Sequence, residues 1–237
     1  MSSRPTPETY TDIADELHAL EQRARQIEAI HKEDNSLGFP VAELHCHYGT
    51  SVSPEQLWRQ YIRVGTKILI RGQRIIDSRN LPGLIQISPD DPREMTPYFK
   101  EIYHPVLDKL TTGVEPARAS FEAIFSGAYS IGIDKLEVRT NPMKHNAGDE
   151  YDLDELIEGM SDGMRQAFKL HPQLYGGVIL CIAREWENTG DAKADQRGFV
   201  RNSKIIEKAI KHADSGIVGI DIAGPDHTDG LPFPVGK

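Results

Sequence analysis

The sequence is poor in cysteine and has no long apolar run. Cys46 and Cys181 are the only cysteines among 237 residues, which is too few for a disulfide framework and predicts a reducing cytoplasm. No apolar run approaches the ~20 residues that a membrane-spanning helix needs. The N-terminus, MSSRPTPETYTD, lacks the apolar stretch of a secretory signal. These absences argue against secreted disulfide-rich proteins and membrane-spanning proteins.

Positive charge is also scarce, with 27 Lys and Arg against 36 Asp and Glu and a formal net charge of −9. Proteins that bind a nucleic-acid backbone or an anionic membrane need clustered positive charge. We therefore expect neither of these partners. The content of 38% hydrophobic and 27% charged residues is typical of a globular, water-soluble chain.

Residues 8–32 have the apolar spacing of one amphipathic helix. The apolar positions are Ile13, Leu17, Leu20, Ala24 and Ile27, with charged residues between them. Such a helix lies on the surface of its own domain or forms a coiled-coil seam with another chain, and both alternatives stay open. Turn-forming residues follow at 34–40. We predict a helical arm over residues 1–40 and one main domain over residues 41–237.

The main domain alternates apolar strands with helices. The predicted strands are 41–47, 133–138, 177–183 and 217–223; the predicted helices are one that begins at Pro54 after the N-cap Ser53, two within 98–130 that break near Gly113, and two over 152–170 and 199–213. Residues 72–97 are rich in Pro, Asp and Arg and are predicted to be irregular. The alternation predicts a parallel α/β fold.

His45 and His47 are spaced two apart on the first predicted strand. Because side chains alternate across a strand, both imidazoles leave by one face and Cys46 leaves by the other. Two imidazoles at the carboxyl end of a strand form half of a metal site for zinc or another borderline divalent ion. Two histidines that are simply hydrogen-bonded in a core fit the bare pair equally well. The position at the end of the first strand of an α/β fold favours the metal site.

Four segments, in their order along the chain, resemble the adenosine deaminase branch of the amidohydrolase barrels. They are ELHCHYGTS at 43–51, LEVRTNP at 136–142, GVILCIAR at 177–184 and GIDIAG at 219–224. The first, second and fourth are similar to the family patterns E-L-H-x-H-L-x-G-S, V-E-V-R-x-x-P and G-I-D-L-A-G. The resemblance spans about residues 41–225.

The resemblance implies an eight-stranded βα barrel of the TIM type that holds one zinc per complete site. In this family a water activated by zinc attacks the amine-bearing ring carbon of a purine, and ammonia leaves. His45 and His47 would be two zinc ligands, and the backbone N–H of Gly224 would meet a purine ring nitrogen. Phe99 and Tyr103 would lie on the helix that caps the pocket, although ordinary helix packing also explains them.

The sequence departs from the family in two respects. Gly49 stands where adenosine-specific members carry an Asp that contacts the ribose, which favours a modified nucleoside, a free base or a nucleotide as substrate. The family places its third zinc histidine, a proton-shuttling glutamate, a further histidine and a metal-binding aspartate near strands five to eight, and no matching segment follows Gly224. The resemblance therefore predicts the first half of a barrel, truncated after strand four, with the catalytic residues outside these 237.

Three hypotheses about function remain open at this point. In the first, the chain supplies half of a zinc-dependent deaminase of adenosine or a related purine nucleoside, base or nucleotide, and a second polypeptide or a C-terminal half supplies the rest. In the second, it is a catalytically inactive half-barrel that serves as a binding or assembly module, with the N-terminal helix as the interface of a homo-oligomer. The third is a different, complete metal hydrolase, which would need a full ligand set within these residues.

Overall fold

The computed structural model describes residues 40–64, 69–70, 73–74, 78–85, 98–147, 150–184 and 189–224. The strands are β1 Ala42–His47, β2 Leu69–Ile70, β3 Gln73–Arg74, β4 Lys135–Thr140, β5 Tyr175–Ala183 and β6 Ile217–Ala223. The helices are α1 Tyr48–Ser51, α2 Pro54–Val64, α3 Leu81–Ile85, α4 Phe99–Leu107, α5 Val114–Ser130, α6 Leu153–Leu170 and α7 Ala192–Lys211. Among these helices none is both long and apolar enough to cross a bilayer.

Four of the strands form one parallel sheet in the order β1-β4-β5-β6. Parallel neighbours require a crossover connection, and here α6 links β4 to β5 while α7 links β5 to β6. The order of strands in the sheet is therefore the order of strands along the chain, as in the wall of a βα barrel. The remaining strands, β2 and β3, form a separate antiparallel pair.

The core lies between one face of this sheet and the helices. The sheet contributes alternate residues such as Leu136 and Val138, which are almost completely buried. Large helix residues in the core include Tyr48, Phe121, Phe125, Leu156 and Met160. The edge strand β6 has the same alternation, but its Val218, Ile220 and Ile222 remain 55%, 44% and 54% exposed. Within the described part of the chain, nothing covers this apolar row at the edge of the sheet.

Most of the predicted elements are confirmed. The strand 217–223 has the predicted bounds, the other three strands shift by at most two residues, and α5 begins directly after Gly113, whose φ is +102°. The Ser53 hydroxyl accepts from the Gln56 N–H at 3.2 Å, as an N-cap should.

Three predictions about local structure need correction. The helix predicted over 199–213 begins earlier, at Ala192, because the Asp191 carboxylate caps it by accepting from the Lys193 N–H. The segment predicted to be irregular contains β3, a 3₁₀ turn at Ser78–Asn80 and α3. Helix α4 is π-helical and continues as an α-helix over Asp108–Leu110, which apolar spacing alone did not indicate. The predicted arm over 1–40 lies outside the described residues except for Pro40, so its boundary with the main domain stays a prediction.

Candidate functional site

The carboxyl end of β1 places His45 and His47 side by side. Their ring centroids lie 5.2 Å apart with the planes tilted by 49°. His45 is exposed, and His47 is half-buried. Cys46 leaves by the opposite face, where its thiol donates to Ser51 Oγ at 2.8 Å and the side chain packs against the core. The alternation expected of a strand is therefore present across these three residues.

The protonation of His47 depends on its surroundings in the sheet. Burial lowers the pKa of His47, and the neighbouring His45 and Arg139 lower it further, while Asp221 opposes them. A histidine binds a metal through its neutral imidazole. Each factor that lowers this pKa therefore keeps more of His47 in the form that can bind a metal.

A partly buried ion pair lies beside the histidines on the same face of the sheet. Arg139 is the partner of His47 in the β1–β4 register. Its Nη1 donates to Asp221 Oδ2 on β6 at 2.5 Å, and its Nη2 donates to the Leu44 carbonyl on β1 at 2.8 Å. The sequence motifs contain Arg139 and Asp221 but did not indicate that they meet. The alternation along β4 and β6 could place each side chain on one face, whereas their contact depends on the register of three neighbouring strands.

Gly49 and Tyr103 come into direct contact at the start of α1. A Cβ built on Gly49 would lie 2.8 Å from the Tyr103 hydroxyl oxygen and 2.9 Å from its Cε2. Tyr103 packs against the core from α4, and burial raises the pKa of its phenol, which therefore stays neutral. The family's acidic side chain at position 49 would overlap this ring. Tyr103 thus contacts the start of α1, at the second residue after His47, in a way that the sequence did not reveal. Its place on a helix that caps a purine pocket stays a prediction.

For Phe99 and Gly224, the other two residues that the resemblance implied, the structure gives the position of the backbone. Phe99 begins α4, and the structure describes its backbone only. Gly224 follows β6 directly with φ +133°, a conformation that favours glycine. It lies at the same carboxyl end of the sheet as His47 because the strands are parallel. The role of both residues in binding a purine stays a prediction.

The pair of histidines provides only part of a metal site. Within the described part of the chain, no group of three or more His, Cys, Asp or Glu side chains is arranged to hold a metal ion. A catalytic zinc needs three protein ligands and an open position. His45 and His47 fit two of these three ligands by residue type, spacing and common face. At least one more ligand would have to come from outside the described residues.

We expect Gly49→Ala to destabilise the fold by about 1–2 kcal/mol, because the new methyl group overlaps the Tyr103 ring. Urea unfolding of the variant would measure this loss. The matched control is Gly49→Ala in a Tyr103→Ala background, where the ring is absent and the added methyl should cost little. An equal cost in both backgrounds would show that the contact with Tyr103 is not the cause.

The curated proteins to which this sequence is similar include adenosine deaminases. No family model matches the chain. It is 26% identical over 192 residues to an adenosine deaminase of Vibrio vulnificus (strain YJ016), an alignment that covers 81% of this chain and 52% of the relative. An adenosine deaminase of Shewanella woodyi is 25% identical over 193 residues, with the same shares covered. The chain thus spans about half the length of these relatives.

Solved structures share the fold over the same part of the chain. Arabidopsis ADAL complexed with GMP superimposes with a TM-score of 0.55 and 22% identity, covering 79% of this chain and 50% of that one. An adenine deaminase from Arthrobacter aurescens superimposes with a TM-score of 0.58 and 15% identity, covering 79% of this chain and 49% of that one. An amidohydrolase from Burkholderia ambifaria with bound Zn superimposes with a TM-score of 0.54 and 16% identity, covering 80% of this chain and 45% of that one. These matches confirm the predicted fold class, a parallel sheet that corresponds to part of an amidohydrolase barrel. The chain is thus similar in sequence to adenosine deaminases and similar in fold to amidohydrolases, over a segment that corresponds to about half of their length.

Proposed function

We propose that this chain supplies the first half of a zinc-dependent deaminase that acts on a purine nucleoside, base or nucleotide. The observation that carries the proposal is the paired imidazoles of His45 and His47 at the carboxyl end of β1. The relationship to adenosine deaminases supports the reaction class. A neighbouring structure with bound Zn and another with GMP support the metal and the purine-type ligand.

In this function the chain's own residues bind and orient. His45 and His47 would hold the metal, which supplies Lewis-acid activation for attack on the amine-bearing carbon. Tyr103 forms a neutral, largely apolar wall next to Gly49. The backbone N–H of Gly224 is available at the same end of the sheet to meet a ring nitrogen, and glycine permits the close approach. The proton-transferring groups, and at least one further ligand, would come from the second half of the barrel.

The residue at position 49 bears on the choice of substrate. An aspartate at this position would present an acceptor with negative charge, whereas Gly49 and the Tyr103 phenol present no charge. A substrate with a phosphate would therefore meet no repulsion here. This supports a purine nucleotide alongside adenosine among the substrates to be tested.

The histidine pair can be tested by zinc binding. We expect the chain joined to strands five to eight of a relative to bind zinc when it is purified without chelators. The double variant His45→Ala/His47→Ala of the joined protein should lose the metal, because two ligands disappear together. Zinc content by elemental analysis and a competition titration would measure the loss. The control, His171→Ala, removes a histidine at the opposite end of the sheet, between α6 and β5, and should retain the metal. Unchanged zinc in the His45/His47 variant would refute the proposed site.

The reaction requires the second half of the barrel. Ammonia release from adenosine, adenine and AMP should appear when strands five to eight of a relative are joined to this chain, and should vanish with His45→Ala. Persistent absence of deamination with that half supplied would refute the proposed activity.

A second candidate function is a binding or assembly module without catalysis. The observation that favours it is the uncovered apolar row of Val218, Ile220 and Ile222 on the edge strand β6. An edge strand with such a row can pair with another chain. Native mass spectrometry distinguishes the two functions. A metal-free chain held to a partner favours the module, and a zinc-loaded assembly favours the deaminase.

A further inference from the structure

Between Glu43 and Cys46, strand β1 contains one residue more than the paired stretch of β4. Glu43 is the partner of Leu136 and Cys46 is the partner of Val138, so three steps along β1 correspond to two along β4. This is a β-bulge at Leu44 and His45, a feature that re-aims side chains and is uncommon between parallel strands.

The bulge decides which face of the sheet the histidines occupy. Without the extra residue, regular pairing from Glu43 onward would make His45 the partner of Val138, whose side chain lies fully inside the helix-covered core. A shift of one residue moves each side chain of a strand to the opposite face. With the bulge, Cys46 takes the core-facing position and the two imidazoles share the face of Arg139.

Two side chains bond the bulged backbone directly. The Glu43 carboxylate accepts from the His45 N–H at 2.7 Å. The Leu44 carbonyl accepts from Arg139 Nη2 at 2.8 Å, and the same guanidinium is anchored to Asp221 on β6 through Nη1. The side chain of Arg139 is 14% exposed and that of Asp221 is 33% exposed, so the ion pair is partly shielded from water, whereas the bond to the Leu44 carbonyl is exposed. Hydrogen bonds with a charged partner are stronger than neutral ones.

We propose that Arg139 is a positioning residue for the histidine pair: anchored by Asp221, it holds the bulge of β1 that turns His45 and His47 onto the open face of the sheet. The inference rests on the proposed function in one respect, that the pair binds zinc. Its structural part, the hold on the bulge, stands on the register and the two hydrogen bonds. Arg139 does not touch the metal in this account and acts through the Leu44 carbonyl.

The test compares Arg139→Gln, Arg139→Lys and a remote control. Arg165→Gln is the control because Arg165 also bonds carboxylates, those of Glu158 and Asp162, and lies near a backbone carbonyl, but it belongs to α6 and not to the sheet. In the protein joined to strands five to eight of a relative, we expect the zinc dissociation constant of Arg139→Gln to rise by about 10–100-fold, the range found when groups that orient metal ligands are lost. Arg165→Gln should leave it unchanged. The dissociation constant of Arg139→Lys should lie between those of the wild type and Arg139→Gln, because a single ammonium group cannot bond Asp221 and the Leu44 carbonyl as the guanidinium does.

The direction of the effect separates positioning from charge. If Arg139 acted only by repelling the cation, its removal would tighten zinc binding, and Arg139→Lys would behave as the wild type. Tighter binding in Arg139→Gln, or a dissociation constant equal to that of the Arg165 control, overturns the proposal.

A second readout does not depend on zinc. If the bulge slips, Cys46 turns from the core-facing side to the open face, so its thiol in Arg139→Gln should react faster with a maleimide, as followed by peptide mass. Unchanged labelling of Cys46 overturns the hold on the bulge. Absence of zinc from the wild-type sequence with strands five to eight supplied overturns the proposed function, and faster labelling would in that case still support the role of Arg139 in the strand.

Discussion

We expect Gly163→Ala to destabilise the protein by about 3 kcal/mol or more, because two helices touch through this glycine. A Cβ at position 163 on α6 would lie 2.1 Å from the Arg118 carbonyl oxygen of α5 and 2.9 Å from the Glu122 nitrogen. Both atoms belong to a helix backbone and cannot rotate away, so the helices must separate. That separation opens the core around Phe121 and Met160, which are fully buried.

Gly127→Ala on α5 is the matched control for this prediction. Gly127 lies within the same helix pair, but a Cβ built there meets nothing within 4 Å. Alanine is favoured over glycine in a helix by about 1 kcal/mol, so this variant should be slightly more stable than the wild type. Urea unfolding of both variants measures the difference. Equal stabilities for the two variants would contradict the close packing of α5 on α6.

We expect the free energy of unfolding to fall by about 2 kcal/mol between roughly pH 7.5 and pH 5, largely through His145. His145 is 2% exposed, its ring lies 4.6 Å from that of Tyr48, and its Nδ1 is 3.2 Å from Thr111 Oγ1. Burial, with a smaller contribution from Lys144, lowers the pKa of His145 from 6.5 to about 3. The folded protein therefore keeps this imidazole neutral while the unfolded chain protonates it.

The sign of the pH dependence follows from this difference in pKa. Above pH 6.5 both states are neutral at His145 and its full contribution to stability is present; between 6.5 and about 3 the unfolded state binds a proton that the folded state does not, so stability is lost as the pH falls. Each pH unit in that window costs about 1.4 kcal/mol. The lowered pKa of His47 adds a change of the same sign.

Urea unfolding at several pH values measures this dependence. His145→Gln is the test variant, since glutamine does not titrate. It should be less stable than the wild type at neutral pH and should show a much flatter slope below pH 6.5. A wild-type slope retained in His145→Gln would assign the pH dependence to other groups.

Much of the fold could be predicted because its signals are local. The apolar run 217–223 becomes β6, and the glycine at 113 separates α4 from α5. The first residue of a helix was harder to predict where a capping side chain determines it, as Asp191 does for α7. The π-helical turns of α4 leave no distinct apolar period, so the sequence pattern predicted only a helix there.

Within the candidate site, the sequence by itself contained the histidine pair, the order of four strand motifs and the similarity to adenosine deaminases. These depend on residue identity and short spacing, which the chain carries before it folds. Only the tertiary structure decided the bulge in β1, the bridge from Arg139 to Asp221 and the contact of Tyr103 with Gly49. Each of these joins residues more than fifty positions apart, and each depends on strand register or helix packing, which follow from burying the whole core at once rather than from any short segment.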